Sequence, residues 1–130
     1  MSGVRLGSGT PWEPVVGYSR VVAVGDAAWV SGTTATVDGV VEHPGDLAAQ
    51  TRVALENVAG ALEQAGFLMS DVVRTRMYVT DISCWQEAGR VHGEFFADVR
   101  PATAMVQVAA LIDPDMLIEI EADAVRGAGA

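Results

Sequence analysis

The chain has 130 residues, half of them hydrophobic, which is enough for one domain with a substantial core, and residues 1–130 are read as a single domain. Its formal net charge of -9 repels phosphate backbones and anionic lipid, so neither nucleic acid nor a membrane is an expected partner. One cysteine, Cys84, excludes an internal disulfide, and the absence of a long apolar run or a leader pattern points to the cytoplasm.

Gly7 to Gly17 holds Gly, Ser, Thr and two prolines and reads as an irregular loop anchored by Trp12. Tyr18–Val24 and Ala27–Ser31 are β-rich, with a turn at Gly25-Asp26. A further short hairpin is expected over Thr34–Val41 about Asp38-Gly39. Leu47, Thr51, Ala54, Leu55, Val58, Leu62 and Ala65 then recur at steps of three and four, predicting a helix over 46–65 with Asp46 as N-cap and Gly66 just past its end.

Val72–Val79 returns to strand character. Asp81 or Ser83 starts a second helix running to about Val99, with an apolar stripe of Trp85, Ala88, Val91/His92, Phe95 and Phe96. Ala102–Leu111 and Met116–Val125 are the last strands, joined by a turn at Asp113-Pro114-Asp115. Only the two ends, Ser2-Gly3 and Gly127 onward, read as loose.

The order ββ(β)αβαββ predicts an α+β fold, two helices on one face of a mixed sheet. Alternation puts Val73, Thr75, Met77 and Val79 with Ile118, Ile120, Ala122 and Ala124 under the helices. Val72, Arg74, Arg76 and Tyr78 with Leu117, Glu119, Glu121 and Asp123 are left on the outer face. That face is either solvated, with its charges paired across strands, or covered by another subunit.

Several segments resemble one family in register. They are Gly17-Tyr18-Ser19; Ala28-Trp29-Val30-Ser31-Gly32-Thr33; Gln50-Thr51 through Asn57-Val58 to Gly66; Tyr78-Val79-Thr80-Asp81; Phe95-Phe96; Pro101-Ala102; Val106-Gln107-Val108; and Ile118-Glu119-Ile120-Glu121-Ala122. Together they resemble the RidA (YjgF, endoribonuclease L-PSP-like) family over nearly the whole chain. The resemblance implies a chorismate-mutase-like fold. It also implies a homotrimer with small-molecule clefts between subunits, and hydrolysis of reactive enamines and imines without metal or cofactor. The family's older naming implies a ribonuclease, against which the net charge of -9 argues.

Carried over by residue, the resemblance makes Glu119 the catalytic acid/base. Tyr18, Ser31, Gly32, Thr103 and Met105 become ligand contacts. The chain departs at the position of the family's carboxylate-gripping arginine, where Pro101-Ala102 is followed by Thr103. A neutral hydroxyl cannot replace a guanidinium fork, and each lost charge-assisted bond costs about 1.5–3 kcal/mol. Arg20, Arg76 and Arg100 are the candidate replacement cations. The two functional expectations are a deaminase-type hydrolase of a substrate other than a standard 2-imino acid, and a non-catalytic trimer that binds a small molecule. His43 and His92 lack metal-ligand partners at helical spacing, so no metal site is expected, and His92 reads as a packed core histidine.

Overall fold

The computed structural model describes residues 3–129. Eight strands and two α-helices run β1 (Gly3–Leu6), β2 (Val21–Val24), β3 (Ala27–Thr33), β4 (Thr36–Val37), β5 (Val40–Val41), α1 (Leu47–Gln64), β6 (Val72–Val79), α2 (Trp85–Phe96), β7 (Ala102–Gln107) and β8 (Ile118–Val125). Six of the strands form one sheet in the order β1-β2-β3-β8-β6-β7. Every pairing in it is antiparallel except β6 with β7, which α2 joins as a crossover. The sheet is therefore mixed, with both helices on one face, as the sequence predicts.

α1 forms where the periodicity places it. The Asp46 side chain accepts from the Ala49 N–H at 3.0 Å, and Leu47, Ala54, Leu55, Val58 and Leu62 are buried against the sheet. Two of its polar residues act as clamps. Gln50, fully buried, donates to the Asp115 carbonyl at 2.8 Å and accepts from the Leu117 N–H at 2.8 Å, which fixes the loop into β8. Asn57 donates to the carbonyls of Thr34 and Thr36 and so fixes the β4–β5 hairpin. That hairpin turns at Asp38-Gly39, whose φ values of 51° and 81° are the left-handed pair such a turn demands.

In β8, Ile118, Ile120, Ala122 and Ala124 are buried and Glu119, Glu121 and Asp123 face outward, as alternation requires. In β6 the expected alternation fails at one point. A register shift between Val72 and Arg74 buries Val72 and leaves Val73 38% exposed, the reverse of the predicted assignment. Thr75, Met77 and Val79 point into the core as expected.

Other boundaries also move. A first strand, β1, pairs with β2 although Gly3 reads as loose, because its backbone completes the sheet edge beyond β2. Gly127 is also held: its N–H donates to the buried Asp71 carboxylate at 3.0 Å, while Arg126 stacks over the Phe67 ring at 4.3 Å. α2 begins with Trp85, which is 51% exposed rather than in the core, after a short turn that Asp81 caps through the Ser83 N–H. It ends at Phe96 and not near Val99. Arg100, at φ 53°, donates its N–H back to the Phe96 carbonyl and redirects the chain into β7. β7 itself stops at Gln107, four residues short of the expected Leu111.

Candidate functional site

The structure divides the predicted site residues into two groups. The first lies where β3 meets β8. Tyr18, Arg20, Ser31, Gly32 and Glu119 come together there around a buried guanidinium. The pairing of β3 with β8 shifts register between Val30 and Thr33, and this leaves the Ser31 and Gly32 carbonyls outside the regular ladder. Arg20 collects them. Its Nη1 donates to the carbonyls of Ser31 and Gly32 and to Thr33 Oγ1 at 3.0 Å, and its Nε donates to Ser8 Oγ at 3.3 Å. Nη2 donates to the Tyr18 hydroxyl at 3.3 Å and lies 3.9 Å from Glu13 Oε2. Ser31 is also engaged, its hydroxyl donating to the Ser19 carbonyl at 2.6 Å.

The loop read as irregular is built around Glu13, with Trp12 only half-buried. The Glu13 carboxylate is buried and accepts from the Ser8 N–H at 3.0 Å, the Ser8 hydroxyl at 2.6 Å and the Thr10 hydroxyl at 2.8 Å. A Cβ on Gly7 would lie 2.7 Å from Glu13 Oε1, so the carboxylate needs glycine there. Burial alone would push the carboxyl up, but the bonds from Ser8 and Thr10 override it and hold its pKa at about 2. Sequence reasoning missed Glu13; the signal was the two short hydroxyl residues, Ser8 and Thr10, shortly before it.

Glu119 is half-buried and lies across Gly32, where a Cβ would meet the Glu119 Cδ at 2.7 Å. The Ser-Gly pair therefore makes room for the carboxylate. Burial, then the like charge of Glu121, pushes the Glu119 carboxyl above the usual glutamate range, with Arg20 opposing. Glu119 pairs with neither Arg74 nor Arg76. On the outer face Arg76 reaches Asp123 at 3.4 Å and Tyr78 donates to Glu121 at 2.6 Å, which leaves Glu119 free of a strong cross-strand partner.

The second group lies on β7, at the far edge of the sheet. Thr103 pairs in register with Thr75 and Met105 with Met77, so both lie on the helix side while Glu119 faces the other way. Two strand spacings and three residues of offset separate Thr103 from Glu119, roughly 14 Å within one chain. Thr103 Oγ1 lies 2.7 Å from Thr75 Oγ1, which lies 2.8 Å from His92 Nε2. Neither Thr75 nor His92 was counted among the site residues, because each reads as core by pattern. Arg100 sits at the end of α2, beside an open groove of about 430 Å³ that His92, Phe96 and Pro101 also line. Of the three candidate cations, Arg20 is thus enclosed, Arg76 is ion-paired and Arg100 is exposed at the mouth of that groove. Among the described residues no group of three or more His, Cys, Asp or Glu gathers in a way that could hold a metal ion, and no helix is long and apolar enough to cross a membrane.

The family described as Endoribonuclease L-PSP matches residues 10–126. Rv2704 of Mycobacterium tuberculosis, a solved member of the YjgF/YER057c/UK114 family, is 52% identical, with a TM-score of 0.87 over 95% of this chain and 99% of that one. A RutC family protein of Pyrococcus horikoshii is 33% identical over 88% of this chain and 90% of its own length. TdcF of Escherichia coli, solved with bound serine, is 30% identical, with a TM-score of 0.79 over 95% of this chain and 94% of that one. With a matching order of motifs, a matching fold and relatives of this identity along its length, the chain belongs to the RidA (YjgF) family.

Proposed function

We propose that the chain is a homotrimeric hydrolase of a reactive imine or enamine that lacks the carboxylate of a standard 2-imino acid. The observation that carries this reading is the division of the site. Glu119, poised above Gly32 with a raised pKa, and Thr103 lie on opposite faces of one chain, so one cleft takes both only when two chains contribute. Sheet faces meeting about a three-fold axis would supply that arrangement. They would also cover the exposed Trp29, Val73 and Val106. Sedimentation equilibrium is expected to give the mass of three chains; a monomer at micromolar concentration ends this reading.

The substrate class follows from the cations. The Arg20 donors are engaged inside the chain and Arg76 is paired with Asp123, so neither is a spare carboxylate grip; Arg100 stays exposed at the mouth of the His92–Phe96 groove, and turnover of 2-imino acids would assign that role to it. Glu119 as carboxylate would orient water toward the C=N carbon, and the neutral Thr103 would face an uncharged substituent. Imines generated in situ by amine and amino acid oxidases give the test, with aldehyde or ketone release followed against the uncatalysed rate. Faster release is expected for carboxylate-free imines than for 2-imino acids. No acceleration across both sets rejects the hydrolase.

The second reading, a trimer that binds a small metabolite without turnover, is favoured by the missing arginine and by the serine held by the relative TdcF. Its signature is a ligand-dependent rise in Tm with no product.

A further inference from the structure

We propose that His92, Thr75 and Thr103 form a proton relay that serves the cleft from the side opposite Glu119. This rests on the hydrolase reading above.

The geometry is a continuous chain. His92 Nε2 lies 2.8 Å from Thr75 Oγ1, which lies 2.7 Å from Thr103 Oγ1. His92 and Thr75 are buried, Thr75 completely, whereas Thr103 is exposed on β7. One end is therefore largely enclosed and titratable and the other is open. Each hydroxyl carries one proton, so the chain has only two settings. When Nε2 is unprotonated, Thr75 donates to it, Thr103 donates to Thr75, and the open end of Thr103 is an acceptor. When Nε2 carries a proton, every bond reverses and Thr103 donates outward. The state of a buried imidazole is thereby displayed at an exposed hydroxyl.

The surroundings favour the first setting at rest. Burial lowers the His92 pKa, and the Phe96 ring packs 4.6 Å away. Arg100 lines the same groove as His92. Arg52 of α1 and Glu94 of α2 pair with each other at the exposed surface. Thr75 and Thr103 approach His92 as neutral groups.

The relay balances the hydrolysis of a protonated imine. Water adds to the C=N carbon while its proton passes to Thr103, the Thr103 proton to Thr75 and the Thr75 proton to Nε2. This forms a C–O bond, a neutral carbinolamine and imidazolium. The reversed chain then returns that proton to the carbinolamine nitrogen. The C–N bond breaks, its electron pair leaves with the amine, and the oxygen's proton passes into the chain as the carbonyl forms. That proton moves on to the free amine, restoring neutral His92 with carbonyl and ammonium as products. No other reactant is consumed.

The test uses the full chain and the imine that an amine oxidase releases from benzylamine. His92→Gln, Thr75→Val and Thr103→Val are each expected to lower kcat about 100-fold with little change in KM, and Thr103→Ser is expected to restore most of the rate. The His92 ionisation on the acid side of the kcat–pH profile is expected to disappear in His92→Gln while that of Glu119 remains, an outcome that a packing role does not produce. Thr103 is exposed, so Thr103→Val tests the relay even if the two buried variants fold poorly. Wild-type rate and pH profile in Thr103→Val, alongside a large loss in Glu119→Gln, overturns the relay and leaves the hydrolase reading standing. No turnover by the wild-type chain overturns both.

Discussion

Arg20→Met is expected to destabilise the chain by about 3–5 kcal/mol, the sum of a few buried acceptors left without a donor at about 1–3 kcal/mol each. The side chain matches in length, so the loss comes from the groups left behind. The Gly32 and Ser31 carbonyls lose their donor, and the Glu13 carboxylate keeps Ser8 and Thr10 but loses the guanidinium 3.9 Å away. Thermal unfolding at fixed protein concentration is the measurement, and for a chain of this size a Tm drop of roughly 10–20 °C corresponds to that loss. Arg20→Lys is expected to fall between, because an ammonium cannot reproduce the fork that meets Ser8, Tyr18 and the β3 carbonyls together. A Tm within 2 °C or so of wild type in Arg20→Met would show that the knot of Glu13 and Arg20 is not a stabilising centre. The same knot sets an acid limit. Glu13 has a folded pKa of about 2, below its ordinary value, so its contribution is present above the ordinary glutamate pKa and is lost as pH falls toward 2. Glu13→Gln should flatten the acid limb of stability against pH.

Glu119→Gln is expected to lower hydrolysis by about 100-fold or more while leaving the chain as stable as wild type at neutral pH, or more stable. Both halves follow from one fact. The Glu119 pKa is raised by burial and by Glu121. A raised carboxyl pKa means that stability is greatest while the group is protonated and declines as pH rises through its folded pKa. The neutral amide removes that penalty and fits the same space above Gly32. It cannot orient the attacking water as a carboxylate does, so chemistry is lost. In the wild type, the Glu119 ionisation on the acid side of activity should lie above the ordinary glutamate range, and it should vanish with the substitution while that of His92 remains. Unchanged turnover in Glu119→Gln would take the carboxylate out of the reaction.

The two helices, β6, β8 and the Asp38-Gly39 hairpin were legible because each rests on local signals: a period of 3.6 or 2, a cap, or a left-handed turn pair. Alternation assigns Val72 and Val73 to the wrong faces because a one-residue bulge leaves no trace in it. Hydropathy places Trp85 in the core, although it opens α2 and is half exposed. β1 was invisible since four residues with a glycine carry too little pattern, and only the exposed edge of β2 calls for it. At the site, the resemblance pointed to Tyr18, Ser31, Gly32 and Glu119, which the fold brings together. It could not indicate that Arg20 is consumed internally. The partners of Arg20 are spread from Ser8 to Thr33, and only the β3 bulge turns the carbonyls toward it. The Thr75–Thr103 contact was equally hidden, because it depends on the register of a parallel pair formed across a helix.

The sheet order has a consequence for how the chain is made. β8, the last of the eight strands to leave the ribosome, occupies the middle of the sheet between β3 and β6. Until residues 118–125 emerge, the nascent polypeptide carries two unpaired edges and an uncovered underside of α1, with no strand to join them. Translation at about 5–20 residues per second leaves that species exposed for seconds. Synthesis is therefore the interval in which this chain most needs chaperone protection, and slow codons just ahead of β8 would prolong it.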